Sequence, residues 1–371
     1  MVKVSELNKL DAYKGFLEGG LVDKFFEEFD VKFGSGTWAA GGFSDRFMAK
    51  GYTPDLPSDV LSRISRIKEA GIKAFVPINV EFFNEKFEIN WDLVDRVKEF
   101  ASKNKMIIAS LALDLAGIPQ LKLGSIANPN PELRKFAMDL LVKSLDIAKR
   151  LGVNTVSFWP GQDGWDYNFE VNYSKLLAIF MENLKKLAEE TANKGFMLAI
   201  EAKLKEPKEG NMVIPTTHVA IAMARKINEE LGKKIVGITI DYGHELMYAV
   251  DPAYTVHLAK VFDVPLLSIH MNTAKTHSND EDRVAGVGDL WQFIDFLLAT
   301  IETGYEGWYV LDQFTYRMNP VDGLRLSKEL FANAMKKALE IYRHRDELEK
   351  LRATGDQAKV IDLVKRIIYN F

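Results

Sequence analysis

The sequence contains no cysteine, few histidines and no long apolar segment. The absence of cysteine from its 371 residues excludes disulfides, thiolate nucleophiles and cysteine-ligated zinc. Any bound metal must therefore be held by oxygen and imidazole ligands. No stretch approaches the roughly 18 consecutive apolar residues of a membrane span, and the charged first segment lacks the apolar core of a signal peptide. We therefore expect a soluble, cytoplasmic protein.

An excess of charge of either sign is also missing. The chain carries 48 basic and 52 acidic side chains, a net charge of −4, and the two kinds are interspersed without a basic stripe. This pattern argues against nucleic acid or an anionic membrane as the main partner and leaves a small molecule as the expected one. The hydrophobic content of 47% is sufficient for a large core, and a single α/β barrel of this length is common.

Short β-branched or aromatic segments alternate with amphipathic helical patterns eight times along the chain. This order predicts a parallel sheet closed into a (β/α)8 TIM barrel of the α/β class. We expect the barrel to occupy residues 1–325 and a C-terminal helical extension, 326–371, to contact a neighbouring subunit. The eight predicted strands lie near residues 31–38, 73–80, 106–113, 155–160, 197–203, 235–241, 266–272 and 308–314.

Four polar residues stand at the ends of predicted strands: Glu201, Asp241, His270 and Asp312. In a barrel the carboxyl ends of the strands converge on one face, where catalytic groups lie. A buried carboxylate without a partner is costly, so a cation is expected among these residues. Each residue alone could be a satisfied core polar group, but four at equivalent positions favour a divalent metal. Oxygen ligands with one imidazole suit Mg²⁺, Mn²⁺ or Co²⁺.

Further polar residues follow these strand ends and match a second cation site. His244 lies three residues after Asp241 in the segment DYGH, and Asp280 and Asp282 lie in the segment SNDED. SNDED alone would also fit a solvated acidic loop, and DxxH alone is a weak signal. Lys203 lies two residues beyond the first strand-end acid, on the same strand face, and adds a positive charge.

A resemblance to a known family extends from about residue 105 to residue 315. This part of the chain is similar to the metal-dependent aldose–ketose isomerases of the xylose isomerase superfamily. It is more closely similar to bacterial L-rhamnose isomerases of the Pseudomonas type. The resemblance is carried by the segments KLGSIANPNPELRKFA (122–137), SFWPGQDGWDY (157–167), IEAKLKEP (200–207), IDYGHELM (240–247), IHMNTAK (269–275) with its following DED, and VLDQF (310–314).

The resemblance implies an enzyme that moves hydrogen between C1 and C2 of an open-chain sugar with two divalent cations, Mn²⁺, Co²⁺ or Mg²⁺. It implies a homo-oligomer, either a dimer or a tetramer. The implied ligands of the first cation are Glu201, Asp241, His270 and Asp312, and those of the second are Asp241, His244, Asp280 and Asp282. The implied catalytic residues are Lys203, His244, Asp282 and Asp312. The implied substrate contacts are Trp38, Trp159, Lys203 and Asn272.

The sequence departs from this family at two positions. These isomerases carry a histidine after the second strand, whereas here that region offers Pro77, Asn79 or Glu81. Asn272 stands where xylose isomerases have an aspartate ligand, which favours the rhamnose-type arrangement with His270 as ligand. The type of reaction is therefore better defined than the sugar, and both hydride-shift and ene-diol routes stay open.

Several other functions compete with this interpretation. A xylose isomerase-type activity is possible on the same residues. A single-metal ketose 3-epimerase would use a similar barrel but has no use for the second ligand set, and its last ligand is usually a glutamate. A nuclease of the superfamily would need a basic surface and more than six histidines. A non-catalytic sugar-binding protein would place neutral hydrogen-bonding groups at the strand ends.

Overall fold

A closed parallel barrel forms the body of the protein. The computed structural model describes residues 2–370, and eleven strands lie among them. Nine strands form one sheet in the order β3-β2-β1-β11-β10-β9-β7-β5-β4, and all of its pairs are parallel. The strands are β1 (Phe33–Gly36), β2 (Ala74–Val76), β3 (Ile107–Ile108), β4 (Leu111–Asp114), β5 (Thr155–Trp159), β6 (Gly164–Trp165), β7 (Met197–Glu201), β8 (Asn211–Met212), β9 (Val236–Asp241), β10 (Leu266–Met271) and β11 (Trp308–Leu311).

The third barrel strand is broken into two pieces, β3 and β4. β3 pairs with β2, and β4 pairs with β5. An isolated parallel bridge between Ile78 and Ala112 joins the two ends of the sheet. The nine strands therefore occupy eight strand positions of the barrel, with β3 and β4 sharing one, which confirms the predicted (β/α)8 TIM barrel.

Twelve α-helices lie among the described residues, and nine of them, α2 to α10, follow barrel strands, with α7 and α8 both after β9. The helices are α1 (Gly20–Phe29), α2 (Val60–Glu69), α3 (Trp91–Lys103), α4 (Pro131–Leu151), α5 (Tyr173–Asn193), α6 (Thr217–Leu231), α7 (Tyr242–Met247), α8 (Pro252–Val261), α9 (Leu290–Thr303), α10 (Pro320–Arg343), α11 (Arg345–Thr354) and α12 (Gln357–Ile368). Between residues 2 and 370, no helix combines the length and the apolar character that crossing a bilayer requires.

Local sequence signals define the ends of these helices. In α4, the Asn130 side chain accepts a hydrogen bond from Glu132 N, and Pro131 occupies the first turn, where its missing N–H costs nothing. The helix ends at Gly152, whose φ of 82° is a conformation that glycine adopts without steric cost. Only three residues therefore separate the end of α4 at Leu151 from the start of β5 at Thr155.

The main core lies between the sheet and the surrounding helices. Phe331 of α10 is fully buried, and its ring centroid lies 4.8 Å from that of Phe33 and 5.0 Å from that of Tyr309. Helix α10 runs without a break through residue 325, where we expected the barrel to end, and its buried residues continue to Ile341. The part of α10 up to Ile341 thus serves as the eighth barrel helix, and α11 and α12 lie beyond it. A subunit contact through these last helices stays a prediction.

A small two-stranded antiparallel sheet connects the loops after the fourth and fifth barrel strands. β6 and β8 pair antiparallel, with Gly164 opposite Met212. Gly164 has a φ of 153°, and a Cβ atom there would lie 2.2 Å from the Asn211 carbonyl oxygen. Only glycine permits this close approach, so this small sheet joins two long loops on the same face of the barrel as the strand ends.

Candidate metal centre and active site

Parallel strands bring the four predicted strand-end residues to one face of the barrel. Glu201 ends β7, Asp241 ends β9, His270 is the last but one residue of β10, and Asp312 follows β11 directly. His270 is in register with Asp241 across the β9–β10 pair. Adjacent strands of one parallel sheet therefore place these side chains side by side.

These four residues form the first ligand cluster. One ligand atom from each lies within 4.8 Å of all the others. His270 Nδ1 is 3.2 Å from Glu201 Oε2, 3.0 Å from Asp312 Oδ2 and 4.0 Å from Asp241 Oδ2. Glu201, Asp241 and His270 are buried. The predicted first site is thus brought together as one compact group of carboxylates and an imidazole.

A second ligand cluster shares Asp241 with the first and adds His244 and Asp280. The short helix α7 begins directly after β9, and Asp241 caps it by accepting a hydrogen bond from His244 N at 2.9 Å. This turn places His244 Nδ1 3.4 Å from Glu201 Oε1 and His244 Nε2 3.1 Å from Asp280 Oδ2. The two clusters are therefore adjacent, with Asp241 between them.

The electrostatics of both clusters fit a cation. His244 Nδ1 and His270 Nδ1 are buried without a hydrogen-bond partner among the described residues, although both lie close to carboxylate oxygens. Burial alone would lower the pKa of each imidazole, but the surrounding carboxylates outweigh it. They raise the pKa of His244 to about 10 and that of His270 well above its usual value. For the carboxyl group of Asp241 burial acts in the opposite direction and raises the pKa. The site has an excess of negative charge, and oxygen and imidazole ligands suit Mg²⁺, Mn²⁺ or Co²⁺.

Lys203 lies beside the second cluster. Its Nζ is 2.7 Å from Asp280 Oδ2, with the two side chains 11% and 4% exposed, and 5.4 Å from the centroid of the Trp159 ring. Burial would lower the pKa of Lys203, but the charges of Asp280 and Asp282 raise it above its usual value. Burial would raise the pKa of Asp280, whereas His244 and Lys203 lower it. Lys203 therefore carries a positive charge at the cavity wall.

The structure places Asn272 and Asp282 behind and beside the clusters. Asn272 is fully buried, its Oδ1 accepts a hydrogen bond from Gly243 N, and its Nδ2 donates to Asp241 and to Asp282 Oδ1. This environment differs from the substrate contact that we expected for Asn272, because its amide is already engaged in orienting two carboxylates. Asp282 lines the cavity, but its oxygens lie outside the second cluster of Asp241, His244 and Asp280.

A cavity of about 170 Å³ opens above the clusters. Trp38 and Trp159 line it together with Phe314, and the substrate contacts that the resemblance implied for the two tryptophans stay a prediction. Trp38 Nε1 also donates a 2.6 Å hydrogen bond to Asp312 Oδ1, which orients that first-cluster carboxylate. Trp159 Nε1 is buried without a partner among the described residues. The cavity thus has charged groups on one side and aromatic walls on the other.

Asp114 is a cavity residue that the sequence interpretation missed. It ends β4, in register with Trp159, and its Oδ1 accepts a 2.6 Å hydrogen bond from Ala116 N. Burial, with smaller contributions from Glu201 and Asp312, raises its pKa to about 6. The signal was present in the sequence, because Asp114 follows the apolar run LAL just as Asp312 follows YVL.

The region after the second strand contributes an apolar residue to the cavity. Ile78 lines it, whereas Asn79 is buried and donates to Ser144 Oγ. Glu81 forms an ion pair with Arg63. Of the three residues that the sequence offered in place of a histidine, Pro77, Asn79 and Glu81, none lies among the described cavity-lining residues.

The family of the chain follows from a match over residues 64–334 to proteins described as having a xylose isomerase-like TIM barrel. The chain belongs to this family. Known structures of similar fold include a D-tagatose 3-epimerase-like protein, with 19% identity, a TM-score of 0.61, and coverage of 85% of this chain and 99% of that one. An L-ribulose 3-epimerase shows 13% identity and a TM-score of 0.60, over 86% of this chain and 97% of that one.

The 3-keto-D-glucoside 4-epimerase of E. coli is a third similar structure, with 16% identity and a TM-score of 0.58, over 80% of this chain and 97% of that one. At such identities the likeness shows the fold alone. The expected superfamily is confirmed, and the closer resemblance to L-rhamnose isomerases stays a prediction.

Proposed function

We propose that the protein is a divalent-metal-dependent enzyme that moves hydrogen between neighbouring carbons of a monosaccharide, acting as an aldose–ketose isomerase. The observation that carries this proposal is the pair of ligand clusters that share Asp241 at the base of an aromatic-walled cavity. A monosaccharide substrate is supported by the family and by the sugar epimerases of similar fold. An L-rhamnose isomerase-like enzyme remains the prediction, with the sugar itself left open and xylose isomerase-type activity as an alternative.

Two sets of residues would hold the cations. Bound there, the cations would stabilise negative charge that develops on sugar oxygens during hydrogen transfer. The first set is Glu201, Asp241, His270 and Asp312, and the second is Asp241, His244 and Asp280. Asp282, a predicted ligand of the second set, lies next to it in the cavity wall.

Residues of the cavity wall would orient the substrate and respond to its charge. Lys203 Nζ has three donor hydrogens, and Asp280 is its acceptor among the described residues, so it can also donate to a sugar oxygen that becomes negative. Trp38 and Trp159 offer ring surfaces to the C–H groups of a sugar. Lys203, His244, Asp282 and Asp312 remain the predicted catalytic residues.

A ketose 3-epimerase is the second candidate function. Lys203 supplies a positive charge to Asp280 at 2.7 Å, so the second cluster is partly neutralised without a cation. The first cluster alone would then hold a single metal. Two of the structurally similar proteins named above are a 3-epimerase and a 3-epimerase-like protein, which is consistent with this alternative.

The two functions differ in metal stoichiometry and in product. We would strip the protein with a chelator, restore Mn²⁺, Co²⁺ or Mg²⁺ separately, and measure bound metal per chain. Rhamnose, xylose, lyxose, mannose and ribose would be assayed for ketose formation, and ketoses for C3 epimers. Two metal equivalents with ketose formation would support the isomerase, whereas one equivalent with C3 epimerisation would support the epimerase.

Matched histidine variants control this experiment. His270→Asn removes a first-cluster ligand and should lower bound metal by about one equivalent and abolish turnover. His257→Asn changes a histidine whose side chain is 46% exposed and should change neither. Failure of the metal-loaded wild-type protein to convert any sugar would contradict the proposed function.

A further inference from the structure

We propose that Asp114 is a specificity-determining residue, which accepts a hydrogen bond from a hydroxyl group of the bound sugar through its Oδ2 atom. This inference rests on the proposed function, because it assumes a sugar in the cavity. It concerns the half of the cavity that faces away from the ligand clusters, where the sequence interpretation assigned no charged group.

The cavity is divided by the strands that line it. The ligand clusters come from the ends of β7, β9, β10 and β11 and from the loops after β9 and β10. The opposite half is lined by residues on or directly after β1, β2, β4 and β5, and Asp114 is the one carboxylate that the structure describes there. The other described residues of this half are Trp38, Ile78, Ala112, Leu113, Ser157 and Trp159.

Asp114 points into the cavity because of its position in β4. Ala112 and Asp114 are two residues apart, which places both on the same face of the strand, and both line the cavity. Its register partner on β5 is Trp159, so a carboxylate and an indole stand next to each other. A sugar presents C–H surfaces and hydroxyl groups side by side, and this pair matches both.

The carboxyl group of Asp114 is held in place from behind. Its Oδ1 accepts the 2.6 Å hydrogen bond from Ala116 N, and its backbone N donates to Asn79 Oδ1 at 2.8 Å. Asn79 is fully buried, and its Nδ2 donates to Ser144 Oγ at 2.9 Å. Both polar ends of the Asn79 amide are therefore in use, which makes it a positioning residue for the end of β4.

The second oxygen of Asp114 has no such support. No hydrogen bond or ion pair joins Oδ2 to another residue in the described range 2–370, and Asp114 belongs to neither ligand cluster. Burial raises the pKa of Asp114 to about 6, as expected for a carboxylate with too few donors around it. A hydroxyl donor from the substrate would supply the missing hydrogen bond.

Single-deoxy analogues of whichever sugar the wild-type protein converts test this assignment. A hydrogen bond to a charged acceptor contributes enough that its loss lowers kcat/KM roughly 10- to 100-fold. We expect one deoxy position to cause this loss in the wild-type protein. For Asp114→Ala, kcat/KM with the parent sugar should fall by a similar factor relative to the wild-type protein. For the same variant, kcat/KM with that deoxy analogue should differ from kcat/KM with the parent sugar by less than about 3-fold.

Two further variants control for misfolding and for indirect effects of the substitution. Asp114→Asn keeps the shape and the acceptor for Ala116 N, and it should give an intermediate loss with the same deoxy position affected. Asp139→Asn, on the exposed surface of α4, should leave unchanged the fall in kcat/KM that each deoxy analogue causes, here called its deoxy penalty. Bound metal per chain and the melting temperature are measured for each variant.

The possible outcomes separate this inference from the function on which it rests. If the wild-type protein converts a sugar and every deoxy penalty persists in both Asp114 variants, Asp114 contacts no hydroxyl and the inference is overturned while the function stands. If the metal-loaded wild-type protein converts no sugar, the proposed function fails and the inference fails with it.

Discussion

Removing the charge of Lys203 should destabilise the protein in a way that depends on metal. Lys203 Nζ lies 2.7 Å from Asp280 Oδ2, and the two side chains are only 11% and 4% exposed. Lys203→Met removes the ammonium group but keeps most of the aliphatic chain. In metal-free protein, Asp280 would then keep only His244 as a nearby positive partner.

The expected size of the effect follows from the burial of this pair. Breaking a buried ion pair by removing one partner costs about 3–5 kcal/mol. An unfolding entropy of about 2.1 cal/mol/K per residue gives about 0.8 kcal/mol/K for 371 residues. The melting temperature of the metal-free variant should therefore fall by about 4–6 °C. A cation held by Asp241, His244 and Asp280 would replace the lost charge, so saturating Mn²⁺ should reduce this fall to less than about half.

Thermal unfolding monitored by circular dichroism measures this effect. Wild type, Lys203→Met and Lys175→Met, an exposed lysine on α5, are compared after chelation and after addition of Mn²⁺. Lys175→Met should unfold like the wild type under both conditions. An equal fall for Lys203→Met with and without Mn²⁺ would refute a cation beside Asp280. Turnover by Lys203→Met should be lost while bound metal persists, and near-normal rates would remove Lys203 from the mechanism.

Three other perturbations have defined outcomes. Trp38→Phe removes the 2.6 Å hydrogen bond to Asp312 and should lower kcat/KM about 10- to 100-fold with unchanged folding. An unchanged kcat/KM would mean that Asp312 does not need this hydrogen bond for catalysis. Phe331→Ala should lower the free energy of unfolding, measured by urea denaturation, by about 3–5 kcal/mol because the ring is fully buried against Phe33. A decrease below about 1 kcal/mol would contradict the core role of Phe331. Chelation of the wild-type protein should lower its melting temperature, and re-addition of Mn²⁺ should restore it; an identical melting curve would argue against bound metal.

The barrel and the ligand clusters were predictable because their signals are local. A run of apolar residues followed by an acid or a histidine indicates a strand end, and parallel strands bring such ends together whatever their distance in sequence. That reasoning identified Glu201, Asp241 and His270 correctly as neighbours. It applies equally to Asp114, which follows the apolar run LAL and ends β4, much as Asp312 follows YVL and comes directly after β11.

Other features depend on contacts that the sequence pattern does not display. The break between β3 and β4 lies near the Ile78–Ala112 bridge that closes the barrel, and the mostly apolar segment MIIASLAL (106–113) conceals it. The burial of Asn272 depends on the folding of the Asp282 loop back against Asp241, which brings two carboxylates to one amide. The extent of α10, Pro320–Arg343, is hidden in the sequence because one amphipathic pattern continues from the barrel into the last helices.

A crystal of the protein grown with Mn²⁺ and examined by anomalous scattering tests the central claim most directly. We predict two Mn²⁺ peaks at the carboxyl ends of the strands, on either side of Asp241. One peak should lie among Glu201, Asp241, His270 and Asp312, and the other among Asp241, His244 and Asp280. A single peak would contradict the two-metal isomerase, and the absence of any peak among these residues would contradict a metal-dependent function.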